Sequence, residues 1–338
     1  MHKDIDKNEL PELKVSFQKS EPFKLEILKF KLTNSCNSHC DFCDYWTQKD
    51  ISFFDYETFC KLITSAKKLG LKKVILSGGE PLLHPQIIQI LNFLEKKEIN
   101  TTIITNGLLF QNKYKDLLAQ IKNMKLTFVF SLDGAIANTH DTIRGVKGNF
   151  DKIIKAIDTL NKNKKRNQIR ICISTTLSEK NYQELEDILL IKNTHNYDSI
   201  SFTTIRSKVG GKNFEPNTKW LSKLINQKNK VITLAKKLEL PVESIERGFE
   251  NGIINEKKCF LPYFQLEIDI DGKAYPCCLA LENQTNQIGS TFSTPLNEIW
   301  FGKQATAFRL SCLHINYSFC KNCIYTYQNR SMATKLKL

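Results

Sequence analysis

Apolar and polar positions between residues 25 and 205 alternate between the period of a strand and the period of a helix. The stretch "LEILKFKL" (25–32) ends with apolar residues at every second position, which predicts a strand. After Asp55, apolar residues recur at helical spacing as far as Gly70, which predicts a capped helix. Strand-like and helix-like segments continue to alternate, with strands at 72–77, 101–105, 125–132, 169–175 and 199–204 and helices at 84–97, 149–162 and 181–192.

This alternation predicts an α/β fold with a parallel sheet and right-handed crossovers. An open doubly wound sheet and a barrel both satisfy the pattern. Distinctive polar loops follow the first four strands: three cysteines, then "SGGEPL", "TNG" and "SLDG". Because function in parallel α/β folds gathers at the carboxyl ends of the strands, we expect these loops to meet at one face.

The pattern changes in the last third of the chain. Residues 206–258 are predicted as a bridge, with a loop at 207–220 and then one long amphipathic helix. Residues 265–277 predict a β-hairpin that turns at Asp271-Gly272. Residues 295–312 predict a helix with a glycine interruption.

Composition is that of a globular protein, with 41% hydrophobic and 25% charged residues among 338. No apolar run reaches the length of a membrane span, and the N-terminus lacks a signal-peptide core, so we expect a cytoplasmic protein without membrane contact. Eleven cysteines in a reducing compartment indicate metal or redox sites instead of disulfides. Three of them lie at 36–43 and six lie between 259 and 323.

The net charge of +14 admits a nucleic-acid partner or an acidic substrate. A surface rich in lysine accounts for the same charge without any partner. Charge therefore gives weak support to nucleic-acid binding, and we do not expect such a partner.

The first cysteine group, Cys36-x3-Cys40-x2-Cys43, admits several interpretations. Zinc could use the three thiolates with His39, although His39 lies immediately beside Cys40. The polar surroundings disfavour unrelated core cysteines. A [4Fe–4S] cluster normally takes four thiolates, so three would leave one iron open for a substrate or cofactor.

This spacing, with Phe42 before the last cysteine, resembles the signature of the radical S-adenosylmethionine (radical SAM) superfamily. The "GGEP" motif (Gly78–Pro81) after the next strand strengthens the resemblance. The resemblance implies a partial (β/α)6 TIM-type barrel whose cluster binds S-adenosylmethionine at the open iron. It also implies reductive cleavage to a 5′-deoxyadenosyl radical, driven by an external one-electron reductant of flavodoxin or ferredoxin type.

The same resemblance assigns residues to S-adenosylmethionine. Asp133 is expected to support a loop, and Thr176 is a weaker candidate for lining the cofactor. The residues expected to bind the cofactor are Phe42, Gly78, Gly79, Glu80, Pro81, Asn106, Ser131, Arg144 and Ser174.

The second cysteine group resembles the C-terminal SPASM or twitch extension of this superfamily in its reduced form. The resemblance implies one auxiliary [4Fe–4S] cluster, and a four-cysteine zinc ribbon is the structural alternative. The implied ligands are Cys259, Cys277 (in Gly272-x4-Cys277), Cys320 and Cys323. The expected organisation is an extension (1–24), a radical SAM barrel (25–205), the bridge (206–258), a small α+β SPASM/twitch domain (259–330) and a basic tail (331–338).

Two further cysteines remain as candidates. Cys278 could replace Cys277 as a ligand. Cys312 or Cys278 could return a hydrogen atom to a substrate radical, as a cysteine does in some members of the superfamily.

These features predict a radical SAM oxidoreductase or epimerase in natural-product biosynthesis. Residues 1–24 leave no room for a leader-peptide recognition domain, which favours a carbohydrate- or aminocyclitol-like small molecule as substrate. Maturation or epimerisation of a ribosomally made peptide is the alternative. Two other classes stay open: a basic zinc-binding nucleic-acid module and an electron-transfer protein.

Overall fold

A computed structural model describes most of the chain. It divides the protein into two compact units, which we call the central unit (Lys31–Phe53 and Ile75–Asn251) and the terminal unit (Met1–Phe30, Phe54–Val74 and Gly252–Leu338). Each unit is described by itself. The described residues are 7–113, 124–163, 168–204, 208–209, 212–213, 219–249, 258–314, 317, 320, 323 and 326–337.

The strands and helices follow the alternation predicted from the sequence. The described strands are β1 (Ile27–Lys31), β2 (Lys73–Ser77), β3 (Asn100–Thr105), β4 (Leu126–Ser131), β5 (Ile169–Leu177), β6 (Ser199–Thr204), β7 (Lys208–Val209), β8 (Lys212–Asn213), β9 (Gln265–Ile268), β10 (Lys273–Tyr275) and β11 (Gly289–Ser290). The described helices are α1 (Leu10–Lys19), α2 (Tyr56–Lys68), α3 (Ile87–Lys96), α4 (Phe110–Lys113), α5 (Ala137–Arg144), α6 (Asn149–Asn163), α7 (Leu185–Thr194), α8 (Lys219–Asn226), α9 (Lys228–Lys237), α10 (Glu243–Glu246), α11 (Cys278–Glu282), α12 (Leu296–Phe301), α13 (Lys303–Ser311) and α14 (Thr326–Leu336).

In the central unit, β3, β4, β5 and β6 pair in parallel and in sequence order. Their apolar residues are buried, and so is one stripe of the crossover helix α6. Helices that cover a parallel sheet explain why its strands are near-continuous apolar runs. The predicted α/β class with a parallel sheet is therefore confirmed. The buried residues include Ile103, Phe128, Ile171, Ile153 and Ile157.

In the terminal unit, β9 pairs in parallel with β1, while β10 pairs antiparallel with both β9 and β11. The hairpin between β9 and β10 turns at Asp271-Gly272 as predicted, and Gly272 has the positive φ of 76° that this turn requires. Gly302 separates α12 from α13, as the glycine interruption predicted. This small antiparallel region confirms the expected α+β character of the C-terminal part.

One predicted element is wrong. The single long helix expected over 220–240 is two helices, α8 and α9, which are separated at Gln227. The N–H of Gln227 bonds to the carbonyl of Leu224, three residues back, so a tighter turn interrupts the α-helical ladder. The rest of the predicted bridge lies partly outside the described residues, at 206–207, 210–211, 214–218 and 250–257.

None of the helices in the described part of the chain has the length and apolar character that crossing a membrane demands.

A buried arginine organises the packing of α13 in the terminal unit. Arg309 is 1% exposed. Its guanidinium donates hydrogen bonds to the carbonyls of Pro262 and Trp300, both at 2.9 Å. The same group lies 4.4 Å from the centre of the Trp300 ring. A cation buried this deeply needs such partners, because unpaired burial of charge is costly.

We expect Arg309→Ala to lower the free energy of unfolding by roughly 3 kcal/mol, since it leaves a cavity and two buried carbonyls without donors. Guanidinium denaturation of the apoprotein measures the change. Lys303→Ala, at an exposed position of the same helix, is the control and should change stability by less than about 0.5 kcal/mol. Equal effects of the two substitutions would contradict the assigned role.

Candidate functional site

The three cysteines of the first group lie in one loop that follows β1, in the central unit. Cys40 is buried with Phe42 and Ile143, and the half-buried Cys43 packs against them. The loop is bonded to the end of α5, because the N–H of His39 donates to the Arg144 carbonyl at 3.0 Å. His39 therefore serves the loop through its backbone, while its ring packs edge-on against Trp46.

Burial raises the pKa of all three thiols, and that of Cys36 reaches about 12. Metal ligation requires thiolates, so an iron–sulfur cluster would supply the positive charge that deprotonates them. The donor set fits such a group.

The "GGEP" turn approaches the start of the cysteine loop backbone to backbone. The N–H of Gly79 donates to the Thr33 carbonyl at 2.7 Å, and the N–H of Glu80 donates to the Ser35 carbonyl at 2.8 Å. A Cβ atom on Gly79 would lie 2.0 Å from the Ser35 carbonyl oxygen, so no side chain fits. Gly78 has a φ of 124°, in the region that favours glycine. The two glycines are thus required by close approach.

Glu80 joins the ends of β2 and β3. Its buried carboxylate accepts hydrogen bonds from the Leu82 N–H at 3.0 Å, the Thr105 hydroxyl at 2.8 Å and the Asn106 N–H at 2.7 Å. Burial raises the pKa of Glu80 to about 7, although these three donors oppose the rise. Pro81 follows and starts a short 3-10 helix, Pro81–Leu83. The Glu80 side chain is fully engaged inside the protein and orders the strand ends.

Asn106 connects the third loop to the cysteines. Its Nδ2 donates to Asn37 Oδ1 at 2.8 Å and lies 3.9 Å from the sulfur of Cys36. Its carbonyl accepts from the Asn149 side chain at 2.9 Å. An amide donor beside a ligand sulfur favours the thiolate form that a cluster needs.

Arg144 is the charged centre of the site and is 8% exposed. Its Nη2 lies 2.6 Å from the Asp133 carboxylate, and its Nη1 donates to the sulfur of Cys40 at 3.5 Å. The guanidinium also lies 5.4 Å from the centre of the Phe42 ring. Asp133 accepts a further bond from the Thr176 N–H at 2.7 Å. The carboxylate partner of Arg144 in this structure is therefore Asp133.

Ser131 and Ser174 are register partners near the carboxyl ends of β4 and β5. The N–H of Leu132 donates to the Ser174 carbonyl at 3.0 Å. Among the residues expected to bind the cofactor, Asn106 and Arg144 contact cysteine sulfurs, and Gly79 and Glu80 contact the start of the cysteine loop. For Ser131 and Ser174 the structure shows their pairing with each other.

The second cysteine group surrounds a cavity in the terminal unit. Cys278, the first residue of α11, is not among the residues that line it. The sulfur of Cys277 caps α11 by accepting from the Ala280 N–H at 3.5 Å. The thiols lining the cavity are the four predicted ligands and one more: Cys259, Cys277, Cys320, Cys323 and Cys312.

Within the described residues, no three side chains of His, Cys, Asp or Glu converge closely enough to hold a single metal ion. Cluster thiolates bind different irons and need not converge on one point, so the arrangement is compatible with iron–sulfur clusters.

Comparison with known proteins matches two regions of the chain to known domains. The model of the radical SAM superfamily matches residues 30–190, and that of the SPASM iron–sulfur cluster-binding domain matches residues 259–324. The chain is a radical SAM protein with a C-terminal SPASM domain. The predicted cofactor types are thereby confirmed, since these domains bind [4Fe–4S] clusters and S-adenosylmethionine.

Among the relatives of this radical SAM protein is the antilisterial bacteriocin subtilosin biosynthesis protein AlbA of Bacillus subtilis (strain 168). AlbA is 25% identical over 304 residues, which cover 87% of this chain and 65% of AlbA. The Fe-coproporphyrin III synthase of Methanosarcina barkeri (strain Fusaro / DSM 804) is 24% identical over 272 residues, 78% of this chain and 63% of that enzyme. The chain thus spans less than two thirds of either relative.

Solved structures share the fold. SuiB of Streptococcus suis bound to S-adenosylmethionine has a TM-score of 0.70 and 20% sequence identity, and the match covers 91% of this chain and 74% of SuiB. A second structure, SuiB bound to its precursor peptide SuiA, has a TM-score of 0.64 at 19% identity and covers 93% of this chain and 74% of SuiB.

Sequence reasoning missed a layer of buried polar residues beneath the site. His140 accepts from the Asp133 N–H at 3.0 Å and bonds to the Asn149 side chain at 3.1 Å. Asn181 donates to the Asp133 carbonyl at 2.9 Å. A single histidine or asparagine carries no spacing signal of its own. The available signal was the four-residue interval between His140 and Arg144, which places both on one face of a helix.

We expect Gly79→Ala to reduce 5′-deoxyadenosine formation about 100-fold, because displacing the loop by an ångström misplaces the reacting groups. Anaerobic assay of the iron-loaded protein by liquid chromatography measures it. Gly148→Ala is the control, since nothing lies within 4 Å of its added Cβ and only backbone strain at its φ of 78° remains. A normal rate for Gly79→Ala would show that the contact with Ser35 is dispensable.

Stability should also depend on pH through His140. Burial, with help from the Arg144 cation, lowers the pKa of His140 to about 4, while the Asn149 hydrogen bond and Asp141 oppose the shift. The unfolded state therefore binds more protons between about pH 6.5 and pH 4, and stability falls as pH falls. We expect a loss of roughly 3 kcal/mol across that window.

Urea titrations of the apoprotein at several pH values measure this loss. His140→Gln removes the titrating group and should flatten the dependence. His195→Gln, which replaces a half-buried histidine but keeps His140, should retain it. Identical profiles for the wild type and His140→Gln would refute the assignment.

Proposed function

We propose that this radical SAM enzyme modifies a ribosomally made peptide. The observation that carries the proposal is the alignment with the subtilosin biosynthesis protein AlbA across 87% of this chain. The likeness to SuiB, which has been solved with its precursor peptide, is in keeping with it. The relatives do not support the carbohydrate- or aminocyclitol-like substrate favoured by the sequence alone.

The proposed first site consists of Cys36, Cys40 and Cys43, which would hold the cluster with one iron open. When bound, this cluster and S-adenosylmethionine supply the electron and the 5′-deoxyadenosyl radical for hydrogen abstraction. The chain's own task is to keep the site ordered. Arg144 and Asn106 place donors beside the sulfurs of Cys40 and Cys36, and Gly79 brings the second loop against the first.

The proposed second site binds one auxiliary [4Fe–4S] cluster through Cys259, Cys277, Cys320 and Cys323. Four protein ligands leave no iron open, so this cluster would exchange electrons only. It could accept an electron from the substrate radical, which together with loss of a proton gives a net oxidation. It could instead donate an electron, which together with a proton restores the C–H bond and gives an epimer. The proposal therefore includes both activities expected from the sequence, that of an oxidoreductase and that of an epimerase.

The experiment uses the anaerobically reconstituted full chain with S-adenosylmethionine, a reductant and synthetic peptides encoded by short reading frames beside its gene. We expect 5′-deoxyadenosine together with a change in peptide mass, both measured by mass spectrometry. Cys40→Ala should abolish both products because the first cluster loses a ligand. Cys172→Ala, which replaces a buried cysteine of β5 outside both groups, is the matched control.

Iron content separates the two sites. The wild type should hold about eight irons per chain, and Cys323→Ala should hold about four and still cleave S-adenosylmethionine. Turnover with a porphyrin and with none of the peptides would replace the peptide proposal by a function like that of the Methanosarcina relative. Stoichiometric zinc in place of iron would contradict both cluster assignments.

A further inference from the structure

The cavity of the terminal unit contains one cysteine more than a closed [4Fe–4S] cluster uses. Cys312 is buried and lines the cavity with the four proposed ligands. Its carbonyl accepts a hydrogen bond from the Cys259 N–H at 2.9 Å, which fixes its backbone beside that ligand. Its thiol and that of Cys259 are hydrogen-bonded to each other.

A second donor reaches the same sulfur from α14. Asn329 is 3% exposed, and its Nδ2 lies 3.6 Å from Cys259 Sγ. Its Oδ1 accepts from the Phe260 N–H at 3.0 Å. A backbone N–H can only donate, so this bond identifies the oxygen end of the amide and leaves the NH2 group facing the sulfur. The backbone N–H of Phe260 thus determines the orientation of the Asn329 amide.

A cysteine that binds a cluster is a thiolate, and a thiolate sulfur can only accept hydrogen bonds. With Cys259 as a ligand, Cys312 would therefore be the donor in the bond between the two thiols.

We propose that Asn329 and Cys312 are positioning residues that hold two hydrogen-bond donors on the sulfur of Cys259 and thereby raise the reduction potential of the auxiliary cluster. The inference rests on the proposed auxiliary cluster. Neither residue is a ligand in this arrangement. Each acts through Cys259.

The physical reason is charge. One-electron reduction adds a negative charge that is shared by irons, sulfides and ligand sulfurs. Donors directed at a ligand sulfur stabilise the reduced cluster more than the oxidised one, which raises the potential. Removing either donor should therefore make the auxiliary cluster harder to reduce.

The test uses the full chain with Cys36, Cys40 and Cys43 all replaced by alanine, so that the auxiliary cluster is the remaining signal. Dithionite with redox mediators supplies one electron per cluster, and electron paramagnetic resonance measures the potential. Asn329→Asp keeps an oxygen that accepts from the Phe260 N–H but removes the NH2 group that faces Cys259. The reduction potential of the auxiliary cluster should therefore become more negative. Asn329→Ala should shift it in the same direction.

Cys312→Ala should also lower the potential, and Cys312→Ser, which retains a hydroxyl donor, should restore part of it. Asn161→Asp on α6 is the matched control, since the Asn161 amide donates to the Asn196 carbonyl instead of a sulfur. Its potential should equal that of the parent protein.

The outcomes separate this inference from the cluster on which it rests. Full iron content with unchanged potentials in Asn329→Asp and Cys312→Ala overturns the inference and leaves the auxiliary cluster intact. Loss of iron in Cys312→Ala makes Cys312 a ligand and overturns its role as a donor. A parent protein without about four irons per chain overturns the auxiliary cluster and the inference together.

Discussion

The buried charge of Arg144 is the constraint on which the organisation of the central unit depends. A guanidinium removed from water requires compensation, and the chain supplies it with the Asp133 carboxylate and the sulfur of Cys40. Asp133 in turn is fixed by Thr176, while His140 and Asn181 bond to its backbone. One cation thus connects the cysteine loop to the ends of β4 and β5.

Much of this was accessible from the sequence. The 2.0 and 3.6 periods predicted the alternation of strands and helices, and the motif spacings indicated both cysteine groups. The prediction of a single long helix over 220–240 was wrong. The hydrogen bond from the Gln227 N–H to the Leu224 carbonyl interrupts the helix, and no glycine or proline at this point of the sequence indicates the interruption. The partner of Arg144 could not be derived either, since Asp133 satisfies it through a contact that only the folded chain creates.

The two cysteine groups illustrate different solutions to burying thiols. In the first group, every described cysteine has a raised pKa, and donors come from an arginine and an asparagine on neighbouring loops. In the second, the thiols of Cys259 and Cys312 are hydrogen-bonded to each other, and the amide of Asn329 also donates to the sulfur of Cys259. The sequence left Cys312 as a candidate hydrogen-atom donor, whereas the structure places it beside Cys259 in the cavity.

The terminal unit is assembled from three separated stretches of chain, and the cysteines that line its cavity all belong to the last of them. Residues that meet on β1 and β9, such as Lys29 and Glu267, are 238 positions apart. Synthesis from the N-terminus therefore leaves this edge of β1 unpaired until the final stretch has emerged. A free strand edge is prone to wrong pairing, so β1 is exposed to this risk until β9 arrives.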